Sequence, residues 1–493
     1  MIEGMKAVIM AGGLGKRIAS INSTLPKPLI PINNKPILQW EIECLVRHGV
    51  KNIILTVYHM AEKIQEYFQD GKEFGCHIEY FVEKERLGNA GALFKLHKAG
   101  KLSDDFLLLN ADSMFDVDIN RFISFHKMHL SHCPDQSDYD EGRNIRHRQH
   151  GCNKQNKQEA LATLLTHPNN HPYDSGLILT DKEGIVRQWF TKEDERPQYY
   201  KNCVNAGLHI INTEIFSLSG IDPDSIDAEH KVDLDRDVLK PLLHSGRIFA
   251  YNSPEYVKDM GTPERFKQVE ADLLSGKIQA RNLEKPQKAI FLDRDGTINK
   301  EVGFLRDIDD FELLPGVAEA IRRINSSGYL AIVVTNQPVI ARGEVSFEEL
   351  DQIHHKMETL LGAEGVYLDA IYYCPHHPDK GFEGEVVELK INCDCRKPKP
   401  GMLLRAAHDF NIDLGKSLMI GDKDKYVMAG KAAGCQTVWI SNSGTSSSDA
   451  DFAASSGSVH SGPGAHSNTS SSDEYDLNTL YADNLLEAVN LII

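Results

Sequence analysis

At 493 residues the chain is too long for a single hydrophobic core, because domains usually run to about 50–250 residues, so two or more are expected. A formal net charge of -17 argues against non-specific nucleic-acid binding, which needs a basic face. No run of about 18 apolar residues occurs, which predicts no membrane span, and nine cysteines behind a start unlike a signal peptide point to a reducing cytoplasm.

Residues 6 to about 273 alternate short apolar strands with helical patterns, as an α/β sheet requires. The first strand, Met5 to Met10, opens into Ala11-Gly12-Gly13-Leu14-Gly15-Lys16-Arg17, a loop whose backbone N–H groups suit phosphates and whose Arg17 adds charge. It lacks the GK[ST] ending of a P-loop, which disfavours an ATPase. Leu25-Pro26-Lys27-Pro28-Leu29 then returns a lysine within a turn held by prolines. The apolar positions Ile37, Leu38, Ile42, Leu45 and Val46 predict a covering helix. Phe106 to Asn110 ends a buried strand before Asp112, and Tyr256 to Glu264 supplies a distal acid, Asp259. Either acid alone reads equally well as a strand end or helix cap.

Together these motifs resemble the sugar-1-phosphate nucleotidyltransferases. The resemblance implies in-line attack of a sugar phosphate on the α-phosphorus of a nucleoside triphosphate, with Arg17 and Lys27 catalytic and Asp112 and Asp259 holding Mg²⁺. It further implies nucleotide contacts at Gly12, Gly13, Glu83 and Gly88, and sugar-phosphate or hydroxyl contacts at Lys192, Asn205 and Gly207. The chain departs from that pattern with Lys16 and Asn89 where Thr is usual, and with Thr191 where Glu is common.

From about 131 to 158 the periodicity is lost in a polar insert, which reads as a surface loop in preference to a lid or metal-binding insertion. Residues 1–280 are assigned to this first domain and the polar, proline-bearing stretch 281–288 to a linker, leaving 289–493 as the second domain.

The second domain opens on Phe291-Leu-Asp293-Arg-Asp295-Gly-Thr297, which places two carboxylates at the mouth of a strand, one to attack phosphorus and one to move a proton. Alone, the run also fits a solvated turn. Three further polar clusters follow apolar runs, as at the carboxyl edge of a parallel sheet: Thr335-Asn336-Gln337, Arg396-Lys397-Pro398 and Gly421-Asp422-Lys423. In this order they resemble the haloacid dehalogenase superfamily. Cys374-Pro-His376 and Cys393-Asp-Cys395 are similar to the zinc loop of its heptose 1,7-bisphosphate phosphatases, four ligands that form a closed structural Zn²⁺ set. His377 reads as a neighbour of that set, and Cys44, Cys76, Cys133, Cys152, Cys203 and Cys435 as free thiols.

This second resemblance implies Asp293 as nucleophile, Asp295 as acid and base, and Mg²⁺ held by Asp293, Asp295 and Asp422. Thr335, Asn336, Arg342, Arg396, Lys397 and Lys423 are the implied substrate contacts. The superfamily's second acid, four residues after Asp422, is replaced by Tyr426, which puts Mg²⁺ affinity or rate in question. From about 441 to 476 the chain is Ser-rich and reads as a flexible excursion, and Leu480 to Val489 as a final helix.

The expected fold is therefore α/β, with two Rossmann-like domains: an N-terminal nucleotidyltransferase (GT-A-like) fold and a C-terminal haloacid dehalogenase-like fold with a zinc-binding loop. Together the resemblances imply consecutive steps on one metabolite: loss of the 7-phosphate from a heptose 1,7-bisphosphate, then guanylyl transfer from GTP to heptose 1-phosphate, with release of pyrophosphate. Partners are small molecules only, without nucleic acid or membrane, and the oligomeric state is open. A mannose-1-phosphate guanylyltransferase joined to a histidinol-phosphatase-like enzyme is the rival within the same class. Conversion of one domain to a non-catalytic binding module is the rival from another.

Overall fold

The structure, a computed structural model, describes residues 4–18, 20–22, 24–129, 159–441 and 479–493. The polar insert, with Cys133 and Cys152, and the Ser-rich segment beyond Ser441 lie outside the described residues. The chain divides into two compact units, Met1–Lys285 and Pro286–Ile493.

In the first unit, β1 (Lys6–Met10), α1 (Ile37–Arg47), β2 (Asn52–Val57), β3 (His77–Val82), α2 (Gly91–Lys98) and β4 (Asp105–Asn110) alternate as the periodicity predicts. They are followed by β5 (Ser113–Asp116), α3 (Ile119–His129), β6 (Ala162–His167), β7 (Leu177–Thr180), β8 (Val186–Phe190), β9 (Val204–Asn212), β10 (Ile248–Asn252), β11 (Tyr256–Asp259) and α4 (Pro263–Leu274). The main sheet runs β8-β7-β9-β4-β1-β2-β3, with β6 paired to β9 and β10 to β6. Strands β4, β1, β2 and β3 are parallel, and β9 runs antiparallel to β4.

Ala7, Val8 and Ile9 are all sealed from solvent although they point to alternate faces, because layers cover both sides of the sheet. The chain passes from β1 outward to β2 and β3, then returns to β4 on the other side of β1. That reversal opens a crevice at the carboxyl ends of β1 and β4, where the Gly12-Gly13 loop and Asp112 emerge. A two-stranded ribbon pairs Asp259 at the end of β11 with Ser113 at the start of β5, which sets Asp112 and Asp259 side by side.

In the second unit, β12 (Lys288–Leu292), α5 (Val317–Ser326), β13 (Tyr329–Asn336), α6 (Phe347–Ala363), β14 (Ala370–Cys374), α7 (Gly401–Phe410), β15 (Leu418–Gly421), α8 (Asp424–Ala433), β16 (Gln436–Ile440), β17 (Thr479–Ala482) and α9 (Leu485–Asn490) form a sheet of order β14-β13-β12-β15-β16-β17. Every pair is parallel. Helix α6 starts at a capping box in which Ser346 and Glu349 satisfy each other's backbone N–H groups. The strand order reverses between β12 and β15, so Asp293 and Asp422 leave neighbouring strands at the switch point.

The expected final helix is only half helix. Thr479 to Ala482 adds an edge strand to β16, and Asn484 then caps α9 by accepting from the Glu487 N–H at 3.0 Å. Short apolar runs fit either state by periodicity, and here the unpaired edge of β16 decides. Of residues 281–288, Arg281, Asn282 and Leu283 are buried in the first unit.

Candidate active sites

Asp293 follows β12, its N–H bonded to the Ile420 carbonyl at 3.0 Å, and its side chain is 1 % exposed. Oδ1 accepts from Lys397 Nζ at 2.5 Å, whereas Oδ2 is buried without a hydrogen-bond partner. Asp422 likewise holds a buried, unpartnered Oδ1. Burial, then the charge of Asp293, pushes the Asp422 carboxyl up to about 6. Gly296 makes this approach possible: it sits at φ +79°, and a Cβ there would lie 2.2 Å from Asp422 Oδ2. Two buried oxygens of hard carboxylates without partners are a donor set that fits Mg²⁺, which binds through one or two carboxylates plus substrate phosphate.

Asp295 faces a different environment. It accepts from Arg294, from Asn299 Nδ2 at 3.1 Å and from Gln337 Nε2 at 2.9 Å. Burial acts to raise its carboxyl, but Arg294 and these hydrogen bonds together outweigh burial and hold it below the usual range. Its carboxylate oxygens are thus engaged by donors, which favour the ionised form.

Lys397 is placed by its backbone, which exchanges two 3.0 Å hydrogen bonds with the Asn336 side chain at the end of β13. Its Nζ also donates to the Val334 carbonyl and stands 3.8 Å from the Tyr426 ring centroid. Tyr426 is buried, and a Cβ at position 421 would lie 2.5 Å from its ring, so Gly421 makes room for it. The ring that replaces the second acid is a seat for Lys397.

The thiols of Cys374, Cys393 and Cys395 lie 3.2–3.5 Å apart, and His376 Nδ1 is 3.4 Å from Cys395 Sγ and 3.7 Å from Cys374 Sγ. A tetrahedral zinc with Zn–S of about 2.3 Å has ligand edges of about 3.7 Å, so the four fit such an ion with little adjustment. His377 lies outside this group, with its Nδ1 accepting from the Asp379 N–H. Arg396 donates to the His376 carbonyl at 3.1 Å, which ties the loop to the segment carrying Lys397.

Of the remaining residues, Arg342 lies between the Phe304 and Phe382 rings, at 4.0 and 4.5 Å, with its Nε buried and unpartnered. Thr335 Oγ1 accepts from Gln337, and Lys423 pairs with Glu301.

In the first unit Lys27 Nζ donates to Asp112 Oδ2 at 2.6 Å. Asp259 accepts from Arg265 Nη1 at 2.8 and 2.9 Å and from the Gly261 N–H at 3.0 Å. Burial acts to raise its carboxyl, but Arg265 with these hydrogen bonds prevails and holds it low. A Cβ at Gly261 would lie 2.8 Å from Asp259 Oδ1 and 3.4 Å from Arg17 Nη2, which places Arg17 beside Asp259. Asp112 and Asp259 side chains remain 39 and 40 % exposed, so this pair suits a Mg²⁺ that arrives with a polyphosphate.

At the loop, the Cβ position of Gly13 is open, and a Cβ at Gly12 would lie 3.2 Å from Glu83 Oε1. Gly88 has φ +87°, and a Cβ would meet the Val232 carbonyl at 2.2 Å. Asn205 Oδ1 accepts from the Gly207 N–H at 2.9 Å, and Lys192 stands exposed near Glu193.

Several participants escape sequence reasoning. Arg294, Asn299 and Arg265 act by holding an expected residue, and Gln337, read in the sequence as one of a cluster of polar donors, donates to Asp295. Glu41 is buried beneath Asp112, accepts from the Ser113 N–H at 3.2 Å and keeps a buried Oε2 without a partner. Burial, then Asp112, pushes its carboxyl well above the usual range. The signal for Glu41 is an acid on the apolar face of α1, in register with Ile37, Leu38 and Leu45.

Both units are similar to known proteins. Residues 6–137 match the nucleotidyl transferase family model, and residues 394–459 a HAD-hydrolase-like model. The D-glycero-beta-D-manno-heptose-1,7-bisphosphate 7-phosphatase of Pasteurella multocida is 48% identical over 147 residues, covering 30% of this chain and 77% of that protein. Among solved structures, HddC from Yersinia pseudotuberculosis aligns at 21% identity over 55% of this chain and 99% of its own, with a TM-score of 0.41. A D,D-heptose 1.7-bisphosphate phosphatase from B. bronchiseptica, complexed with magnesium and phosphate, aligns at 27% identity over 42 and 98% of the two chains, with a TM-score of 0.32. The chain is thus a fusion: a unit of the nucleotidyl transferase family precedes a second unit through which it belongs to the D-glycero-beta-D-manno-heptose-1,7-bisphosphate 7-phosphatase family.

Proposed function

We propose that the protein catalyses two consecutive steps in making a nucleotide-activated heptose. The second unit removes the 7-phosphate from D-glycero-D-manno-heptose 1,7-bisphosphate, and the first transfers GMP from GTP to the remaining heptose 1-phosphate, giving GDP-heptose and pyrophosphate. The observation that carries this reading is the joining, in one chain, of a phosphatase whose relatives are named for a sugar 1,7-bisphosphate with a unit that matches the nucleotidyl transferase family model and whose motifs resemble the sugar-1-phosphate nucleotidyltransferases.

In the phosphatase, Asp293 attacks phosphorus, a P–O bond forms to its carboxylate, and the bond to the sugar oxygen breaks. Asp295, ionised in the free site, takes up a proton with the anionic substrate, gives it to that oxygen, and then takes one from the water that cleaves the aspartyl phosphate. Gln337, Asn299 and Arg294 hold Asp295 for both transfers. Lys397 orients Asp293, and Arg342, Arg396 and Lys423 supply positive charge for the substrate. Mg²⁺ held by Asp293 and Asp422 would neutralise phosphoryl charge, and zinc at the Cys374 loop would be structural.

In the transferase, the Gly12-Gly13 backbone, Arg17 and Lys27 receive the triphosphate, and Asp112 and Asp259 would hold its Mg²⁺. Glu83 and Gly88 border the nucleotide, and Lys192, Asn205 and Gly207 the sugar phosphate. The sugar phosphate oxygen bonds to the α-phosphorus as pyrophosphate leaves.

The test is release of phosphate and pyrophosphate from heptose 1,7-bisphosphate with Mg²⁺ and each of GTP, ATP, CTP and UTP. The phosphatase relatives' name carries the β anomer, whereas the guanylyl resemblance implies the α anomer, so both are assayed. Phosphate without nucleotide, then pyrophosphate with GTP alone, is the expected result. Turnover of mannose 1-phosphate or histidinol phosphate in place of the heptoses would overturn it.

A further inference from the structure

Away from the Asp112–Asp259 pair, the first unit gathers His48, Asp118 and Glu284 so that one ring nitrogen and one oxygen of each carboxylate lie within 4.8 Å of one another. His48 directly follows α1, Asp118 directly precedes α3, and Glu284 lies one residue before the end of the unit.

The imidazole is fully buried, and its Nδ1 lies 2.7 Å from the Cys44 carbonyl. A carbonyl only accepts, so Nδ1 carries the proton and Nε2 is the nitrogen turned to the acids. Nε2 is buried without a hydrogen-bond partner, and its nearest charge is Glu284 Oε1 at 3.4 Å. A lone pair on Nε2 therefore faces a carboxylate oxygen, acceptor against acceptor, and among the described residues no cation stands at Nε2 itself. Arg47 does not supply one at the ring: its Nη2 donates to Asp116, and its Nε is 3.7 Å from the other Glu284 oxygen. Arg121 Nε is 3.8 Å from Asp118 Oδ2.

The backbone around the three is already tied. Glu255 Oε1 accepts from both the Asp118 and the Leu283 N–H groups, at 2.8 and 2.9 Å, which brings the segment bearing Glu284 to the start of α3. Asp118 Oδ1 accepts from the Arg121 N–H at 3.1 Å and so is fixed in direction.

We propose that His48 Nε2, Asp118 and Glu284 bind a divalent transition-metal ion of the Zn²⁺ class. One imidazole and two carboxylates form a borderline donor set for such ions, and the Nδ1–H bond to a backbone carbonyl is the outer-shell support that ligating histidines use. Ligands at about 2.0–2.1 Å from a tetrahedral ion stand about 3.4 Å apart, so binding closes a group whose atoms lie within 4.8 Å of one another by at most about 1.4 Å. Glu284, 41 % exposed, is free to make that movement. The ion ties the chain, where it leaves the first unit, to the end of α1 and the start of α3. This inference is independent of the catalytic reading.

The experiment loads the full-length, chelator-treated protein with Zn²⁺ in the presence of excess Mg²⁺, removes loose metal by desalting, and measures zinc per chain by elemental analysis. Wild type is expected to retain one zinc more than Glu284→Gln, and to gain thermal stability on addition of that zinc where the variant gains none. His48→Gln is expected to match Glu284→Gln, and the exposed position of Glu284 keeps the test valid if the buried variant misfolds. Equal zinc content in wild type and Glu284→Gln would overturn the proposal and leave a protonated His48 paired with Glu284.

Discussion

Lys397 Nζ stands 2.5 Å from Asp293 Oδ1, with side chains 0 and 1 % exposed. A buried ion pair loses far more when one partner is removed than it contributes as a pair, because the remaining charge has no solvent. Lys397→Met is therefore expected to lower phosphate release at least 100-fold and to destabilise the second unit by about 3–5 kcal/mol. Parallel phosphatase assays and denaturant melts check this, and retention of a tenth or more of the rate would contradict it.

Tyr426 places a ring, in place of an acid, 3.8 Å from Lys397 Nζ. If the ring seats the lysine, Tyr426→Phe keeps phosphatase activity within about threefold, while Tyr426→Leu loses roughly tenfold or more, as a desolvated cation–π contact of about 2 kcal/mol implies. Equal loss in both variants would show that the hydroxyl is what matters.

Asp422 keeps its proton up to about pH 6 because of burial and Asp293. Its raised value means the proton competes with Mg²⁺ below that pH and not above it. The Mg²⁺ concentration for half-maximal phosphate release is expected to be flat from pH 7 to 8 and to rise roughly tenfold per unit below 6. A flat Mg²⁺ requirement from pH 5 to 8 would remove Asp422 from the metal site.

The Cys374, His376, Cys393 and Cys395 group is tied to the segment carrying Lys397 through Arg396, which donates to the His376 carbonyl. Cys393→Ser is expected to lose bound zinc, to lower phosphatase activity tenfold or more, and to leave nucleotidyl transfer unchanged. Full phosphatase activity in zinc-free protein would make the loop irrelevant to placement of Lys397.

The two sites lie in separate compact units, each with its own sheet and switch point. Lys27→Ala removes the only side-chain cation bonded to Asp112 among the described residues and is expected to abolish pyrophosphate release while sparing phosphate release. Asp293→Asn does the reverse. Joint loss from either single change would contradict independent sites.

Much of this was legible in the sequence because chemistry at a parallel sheet lies just past strand ends. Apolar runs ending in Gly12-Gly13, Asp112, Asp293 and Asp422 mark both the strands and the edge at which function gathers. The grouping of Cys374, His376, Cys393 and Cys395 was legible for a similar reason, since Cys and His at short spacing face one another within one loop. Other features required the tertiary structure, because they depend on residues remote in sequence. Periodicity read Leu480 to Ala482 as the start of a helix, and the free edge of β16 made Thr479 to Ala482 a strand. Lys397 read as a phosphate ligand, yet its two bonds to Asn336 and the Tyr426 ring turn it onto Asp293. Glu41, Asn299, Arg265 and the His48 cluster acquire meaning only from what burial leaves beside them. Sequence determines which groups are available at strand ends and in tight loops. Packing determines which of them lose water, and therefore which charges must find partners.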